Sequence, residues 1–146
     1  MTQPAPTPEA AMISVSLGPI GLGLYPEEID ALELPFPAGE TINQWAVFAR
    51  VVLQNNGADA QDATAQLYVA GSGPGPVPGT LLDELGIRIP GTQRDPFAVC
   101  VSLQGVIKRT DAIGGTPPHN VVKLLCRGIN CDASRASMIG LDLGSI

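Results

Sequence analysis

Alternation of apolar and polar residues with a period of two, cut at intervals by Gly/Pro clusters, is the feature that most narrows what this chain can fold into. In "WAVFARVVLQ", Trp45, Val47, Ala49, Val51 and Leu53 share one face, with Arg50 and Gln54 on the other. "ATAQLYV" sets Ala63, Ala65, Leu67 and Val69 against Thr64, Gln66 and Tyr68. "FAVCVSLQGVI" puts Phe97, Val99, Val101, Leu103 and Ile107 inward and Cys100, Ser102 and Gln104 outward. "VVKLLCR" places Val122, Leu124 and Cys126 inward, with Lys123 and Arg127 outward. Successive side chains of a strand point to opposite faces, so each run reads as a strand packed on one side only. One-sided strands belong to antiparallel sheets.

The other runs are shorter. "ISVSL" gathers Ile13, Val15 and Leu17 on one face and Ser14 and Ser16 on the other. "LGIRI" turns Leu85, Ile87 and Ile89 inward, and "MIGLDLGSI" is expected to do the same with Ile139, Leu141 and Leu143. A further strand is expected near Ile29 to Leu34, although "PEEIDALEL" could also form one helical turn with Pro26 at its first position. "NNGADAQD", rich in residues that tolerate positive φ, reads as the turn of a hairpin joining the strands on either side of it. "AGSGPGPVPG", "PGTQRDP" and "DAIGGTPPHN" read as loops, since proline has no N–H to give a ladder. The expectation is an all-β fold: a single antiparallel two-sheet sandwich of jelly-roll type with about eight strands, or an eight-stranded barrel. With 17 Gly and 14 Pro in 146 residues, long helices are disfavoured. The chain divides into an extended N-terminal arm, 1–11, and a sandwich domain, 12–146.

Charge narrows the function classes. No Lys or Arg precedes Arg50, while Glu9, Glu27, Glu28, Asp30, Glu33 and Glu40 do; from Arg50 onward, eight basic residues balance eight acidic ones. Nucleic-acid binding needs a basic face, so a nucleic-acid partner is not expected. No apolar run approaches the roughly 18 residues of a membrane-spanning helix, and "MTQPAPTPEA" lacks the charged and apolar regions of a signal peptide. Synthesis in the cytosol, with no membrane partner, is the expectation.

Candidate chemistry is sparse. Cys126 and Cys131, with four residues between them, Cys100 and the lone His119 are the only thiol and imidazole groups. A structural zinc site needs a second ligand pair, and strand parity sends Cys126 inward and Cys100 outward, so no metal site is expected. A Cys126–Cys131 disulfide would close the turn between them if the protein lies outside the cell; otherwise Cys126 reads as a small core hydrophobe and the stretch as a strand end with a turn. Cys100 with His119 is the one nucleophile–base pair available to an enzyme, and nothing places a third member. "GSGPGPVPG" lacks the G-K-[ST] ending of a phosphate loop, and the acidic clusters "PEEID" and "LLDELG" lack EF-hand spacing. Neither catalytic residues nor a cofactor are expected. Trp45 reads as a core anchor. The expected interaction residues lie on the arm (Gln3, Pro4, Pro6, Pro8) and on the Pro/Gly loop (Gly73, Pro74, Gly75, Pro76).

The series "LPFPAGE…WAVFARVVLQNNG…ATAQLYV…VCVSLQGVI…NVVKLLCR…SMIGLDL", over residues 32–146, resembles the strand order of C1q/TNF-like jelly rolls, which occur in bacterial surface proteins and phage virions. The chain departs from that pattern in lacking long aromatic-rich strands, with aromatics at 4%. The resemblance implies a homotrimer with a binding or structural role and no catalytic residue. The expected function is that of a non-enzymatic virion component, such as a bacteriophage capsid decoration protein, made in the host cytoplasm. It would bind itself and a larger protein lattice through loops and arm. The alternative is a secreted or cell-surface adhesin or carbohydrate-binding module.

Overall fold

The computed structural model describes residues 12–34, 43–70, 80–91, 97–109 and 120–145. Nine strands make it up: β1 (Met12–Ser16), β2 (Ile20–Gly21), β3 (Glu27–Leu34), β4 (Asn43–Asn55), β5 (Gln61–Ala70), β6 (Thr80–Ile89), β7 (Phe97–Arg109), β8 (Asn120–Gly128) and β9 (Cys131–Ser145). They form two antiparallel sheets. The first, here sheet A, has the order β1-β9-β4-β7 with β2 also on β9; the second, sheet B, has the order β3-β8-β5-β6. Apart from the β5–β6 hairpin, consecutive long strands fall in opposite sheets, which is jelly-roll connectivity, with edges open and no barrel closed. No helix occurs among the described residues, and Glu27–Leu34 is a strand, as expected near Ile29 to Leu34, rather than the helical turn that "PEEIDALEL" could also have formed.

The core lies between the sheets. Sheet A contributes Trp45, Val47, Ala49, Val51, Leu53, Val101, Leu103, Ile107, Ala133, Ala136 and Met138; sheet B contributes Ile29, Leu32, Leu34, Ala63, Ala65, Leu67, Ile89, Val122, Leu124 and Cys126. On β4, β5, β7 and β8 these are inward residues of the long alternating runs. Ile87 and Val99 pack at its margin. Leu85 lies on the predicted side, opposite buried Ala65, but β6 is an edge strand and leaves it partly open. Phe97 pairs with Asn55, the last residue of β4, at the rim of the sandwich, and is also exposed.

Two readings from sequence are corrected. The strands flanking "NNGADAQD" do not pair with each other: β4 pairs with β7 and β9, and β5 with β6 and β8. The loop is therefore a corner between sheets. Asn55 builds it. Fully buried, it donates from Nδ2 to the carbonyls of Asp59 (2.9 Å), Ile89 (3.1 Å) and Pro90 (3.3 Å), while its Oδ1 accepts the Gly57 N–H (2.9 Å). The end of β6 is thus tied to the end of β4, across the sandwich. Gly91 meets the corner so closely that a Cβ there would lie 2.1 Å from the Ala58 carbonyl oxygen.

The second correction concerns β9. Ile139, Leu141 and Leu143 face outward, and Ala136, Met138 and Gly140 face the core. The pairing with β4 slips at Arg135, which has φ +50°, so that Arg50 faces Ser137 and Val52 faces Ser134. A bulge of this kind resets the parity of all that follows. Gly140 fits the inner side because Leu34, Leu32 and Trp45 already fill the space: a Cβ there would meet them at 3.0, 3.2 and 3.4 Å.

In β1 the Ile13 and Val15 face is the outer one, since Ser14 pairs with inward Met138. Ser14 Oγ donates to Asp30 Oδ1 across the gap between the sheets (2.5 Å), and the same oxygen accepts the Ala31 N–H (2.9 Å). The opposite side of the sandwich is closed in a similar way. A register shift lets Leu82 press on Gly105, while Asp83 Oδ2 accepts the Gln104 N–H at 3.0 Å.

Replacing Asn55 by Ala strips the corner of its side-chain donors and its acceptor, and should cost about 3 kcal/mol of folding stability. Gln54→Ala, on the outer side of the same strand, should change it by less than about 0.5 kcal/mol. Urea unfolding of both variants checks this.

Candidate interaction face

The two outer faces of the sandwich differ in chemistry. The outer face of sheet B is charged: Lys123 Nζ lies 3.0 Å from Glu28 Oε1, Arg88 Nη1 lies 3.2 Å from Asp62 Oδ1, and Glu33, Glu84 and Arg127 project beside them. Such exposed pairs add little stability, but they keep a surface wet.

Sheet A presents the reverse. Its outer side carries three cross-strand rows in register: Leu141–Ala46–Val106, then Ile13–Ile139–Phe48–Gln104, then Val15–Ser137–Arg50–Ser102. Arg50 is the single formal charge in those rows. Ile13 is 64% exposed, Val15 59%, Val106 57% and Leu143 55%. Strand spacing and rise give these rows an area on the order of 400 Å², polar residues included, with the apolar residues concentrated in the first two rows. The rows run without interruption because the bulge at Arg135 turns the large residues of β9 out beside those of β1.

A groove of about 320 Å³ crosses this face, lined by Phe48, Arg50, Ser102, Gln104, Ser137 and Ile139, with Asp83 at its β7 edge. Asp83 is held by backbone donors, its Oδ1 accepting the Glu84 N–H and its Oδ2 that of Gln104. Among the described residues, Arg50 makes no ion pair or hydrogen bond through its guanidinium.

A second, smaller surface lies at one end of sheet B. There the connection before β3 meets the β8–β9 turn, with Gly128 N–H donating to the Gly23 carbonyl at 3.0 Å and Leu22 N–H to that of Cys131 at 2.9 Å. Gly23, Leu24, Thr64, Arg127 and Ile129 line a hollow of about 240 Å³ there, and Leu24, Tyr25 and Ile129 are exposed.

The cysteines are not brought together with one another as a site. Cys126 is on the inner side of sheet B, Cys131 opens β9 with its thiol donating to the Ile129 carbonyl (3.4 Å), and Cys100 is exposed on the outer side of β7. All three are free thiols, so the Cys126–Cys131 disulfide is not formed in this structure. No cluster of His, Cys, Asp and Glu able to hold a metal occurs among the described residues. His119 and the expected interaction residues Gln3, Pro4, Pro6, Pro8, Gly73, Pro74, Gly75 and Pro76 lie outside them. No helix of the described residues is long and apolar enough to cross a membrane. The apolar face was missed from sequence because its residues have the alternation of core residues, and only the sign of the parity separates the two.

No family model matches the chain, and no curated protein matches it.

Burial pushes the Cys126 thiol up to about 12, and burial together with the Asp132 carboxylate raises that of Cys131. A raised thiol holds its proton more tightly in the folded chain. Its contribution to stability is intact below the ordinary value of 9.0 and is lost as pH rises from there toward about 12. Denaturation midpoints should therefore fall over that alkaline window in the wild type and fall less in Cys126→Ala. At neutral pH a thiol reagent should label Cys100 in the native protein, and Cys126 and Cys131 only after unfolding.

Proposed function

We propose that this chain is a non-catalytic structural subunit that assembles with itself through the outer face of sheet A, as a homotrimer, and in that form docks on a larger protein lattice. The concrete setting is the surface of a phage virion, with the chain as a capsid decoration protein. The observation that carries the reading is the contrast between the charged outer face of sheet B and the nearly uncharged apolar face of sheet A.

A second copy is the occupant that fits this face best. The chain has a net charge of −6, which opposes self-association wherever carboxylates meet. In the three rows no carboxylate is present, so two copies can approach there without that repulsion. An area near 400 Å² is enough for the centre of an interface that buries about 800 Å² per partner with its polar rim. The jelly-roll connectivity and the C1q/TNF-like strand series favour the threefold form. The virion setting is supported by a sandwich built with little charge and an N-terminal arm that leaves from the edge of the assembling sheet. The paired loops around Leu24, Tyr25 and Ile129 supply a surface away from sheet A for the lattice.

Light scattering coupled to size exclusion should give three times the monomer mass of 15.1 kDa. Val106→Glu, which places a desolvated carboxylate in an apolar row, should dissociate the assembly into folded monomers, because Val106 is outside the core. A wild-type protein that is monomeric at tens of micromolar, or an assembly that Val106→Glu leaves intact, would overturn the reading.

A further inference from the structure

The groove at Arg50 leaves an unsatisfied requirement. Arg50 sits on the outer side of β4, between Ser137 of β9 and Ser102 of β7, with Phe48 and Ile139 one row above. Closing a second copy over this face would strip water from a guanidinium that makes no ion pair among the described residues, Asp83 at the groove's edge being held by backbone N–H groups instead. Such a charge is tolerated in an interface only when the partner brings the counter-charge. Resting on the self-assembly reading, we propose that this groove receives the N-terminal arm of a neighbouring copy, with the Glu9 carboxylate pairing with Arg50.

Composition, attachment and direction argue for this occupant. Within 1–11, Glu9 is the sole charged side chain, and it is surrounded by Pro, Ala and Thr. The arm joins the sheet at Met12, the first residue of β1, on the edge of the same sheet. Eleven residues can reach about 36 Å when extended, enough to pass from one sandwich onto the next.

Direction then excludes the chain's own groove for an extended arm. Met12 is level with Gly140 and Val47, whereas Arg50 is level with Ser137 and Val15, three residues further along β1. An arm that kept the direction of β1 would run away from that level. A straight continuation would set Glu9 roughly 20 Å along the strand axis from Arg50 in its own subunit, and the side chains cannot span that. Reaching back would require a full reversal within Ala10 and Ala11, which contain no turn residue. A carboxylate meeting a guanidinium can pair through two parallel N–H···O bonds, so this contact also sets the register between copies. Ser102, Ser137 and Gln104 around the groove supply further polar partners for the arm's backbone.

The test uses the full chain and its self-dissociation constant, measured by sedimentation. Arg50→Glu and Glu9→Lys should each weaken self-association about tenfold or more, and the double exchange should recover most of that loss. Placement between copies is read by oxidative crosslinking in a Cys100→Ser background. A mixture of chains carrying only Glu9→Cys with chains carrying only Arg50→Cys should give a covalent pair of the two. Loss without recovery in the double variant would overturn the proposal. So would crosslinking confined to single chains that carry both new cysteines. If the singles leave the dissociation constant unchanged while Val106→Glu still dissociates the assembly, the arm proposal falls and self-assembly stands.

Discussion

The buried amide of Asn55 holds the two sheets in their relation to one another. A jelly roll must pass its chain from one sheet to the other several times, and each crossing leaves backbone groups that neither ladder can satisfy. At the β4–β5 corner one side chain answers four of them: three carbonyls from two separate segments and one N–H. An amide suits this because it both donates and accepts, with no charge to desolvate. Asp could not donate to the carbonyls, and Ser lacks the reach to both segments. With the ends of β4 and β6 fixed, β5 is committed to sheet B, and β7 can return to pair along the full length of β4.

The packing between the sheets has its own logic, and it explains the outer surface. Large residues from one strand sit over small ones of another. Trp45, Leu32 and Leu34 crowd Gly140, and Leu82 crowds Gly105. Small inward residues on β9 leave its large residues only one other place to go, the outside. The bulge at Arg135 makes the switch, and the serine of β1 that reaches Asp30 turns Ile13 and Val15 out alongside. The apolar outer face of sheet A is in this sense a consequence of the core. It gives the sandwich one wet side and one dry side, from which the assembly and the place of the arm are inferred.

Arg50 gives that dry side its specificity. An apolar patch alone associates without much regard to orientation, whereas a lone guanidinium in it penalises any approach that leaves the charge unmatched. In the proposed assembly Glu9, the charged side chain of the arm, is the complement to a groove formed by strands from the middle and end of the chain.

How much of this was legible in the sequence depended on the range of the interaction. Alternation over 45–53, 63–69, 97–107 and 122–126 marked the long strands and the larger part of the core, because the period of a strand is a local property of the backbone. The cysteines were legible to the same extent: the parity of Cys126 and Cys100 already argued against a shared site, and the structure puts them on different sheets. Pairing was not legible. "NNGADAQD" has the composition of a hairpin turn and of a sheet-crossing corner alike, and only the burial of Asn55 against the end of β6 separates the two. Nor was the outer face of β9, since a single bulge inverts every residue after it at no cost in composition. The sequence by itself determined that this protein is an all-β sandwich with little charge and an acidic beginning. Tertiary structure alone decided which strands pair and which apolar stripe meets solvent, because register and parity depend on contacts between residues far apart in the chain.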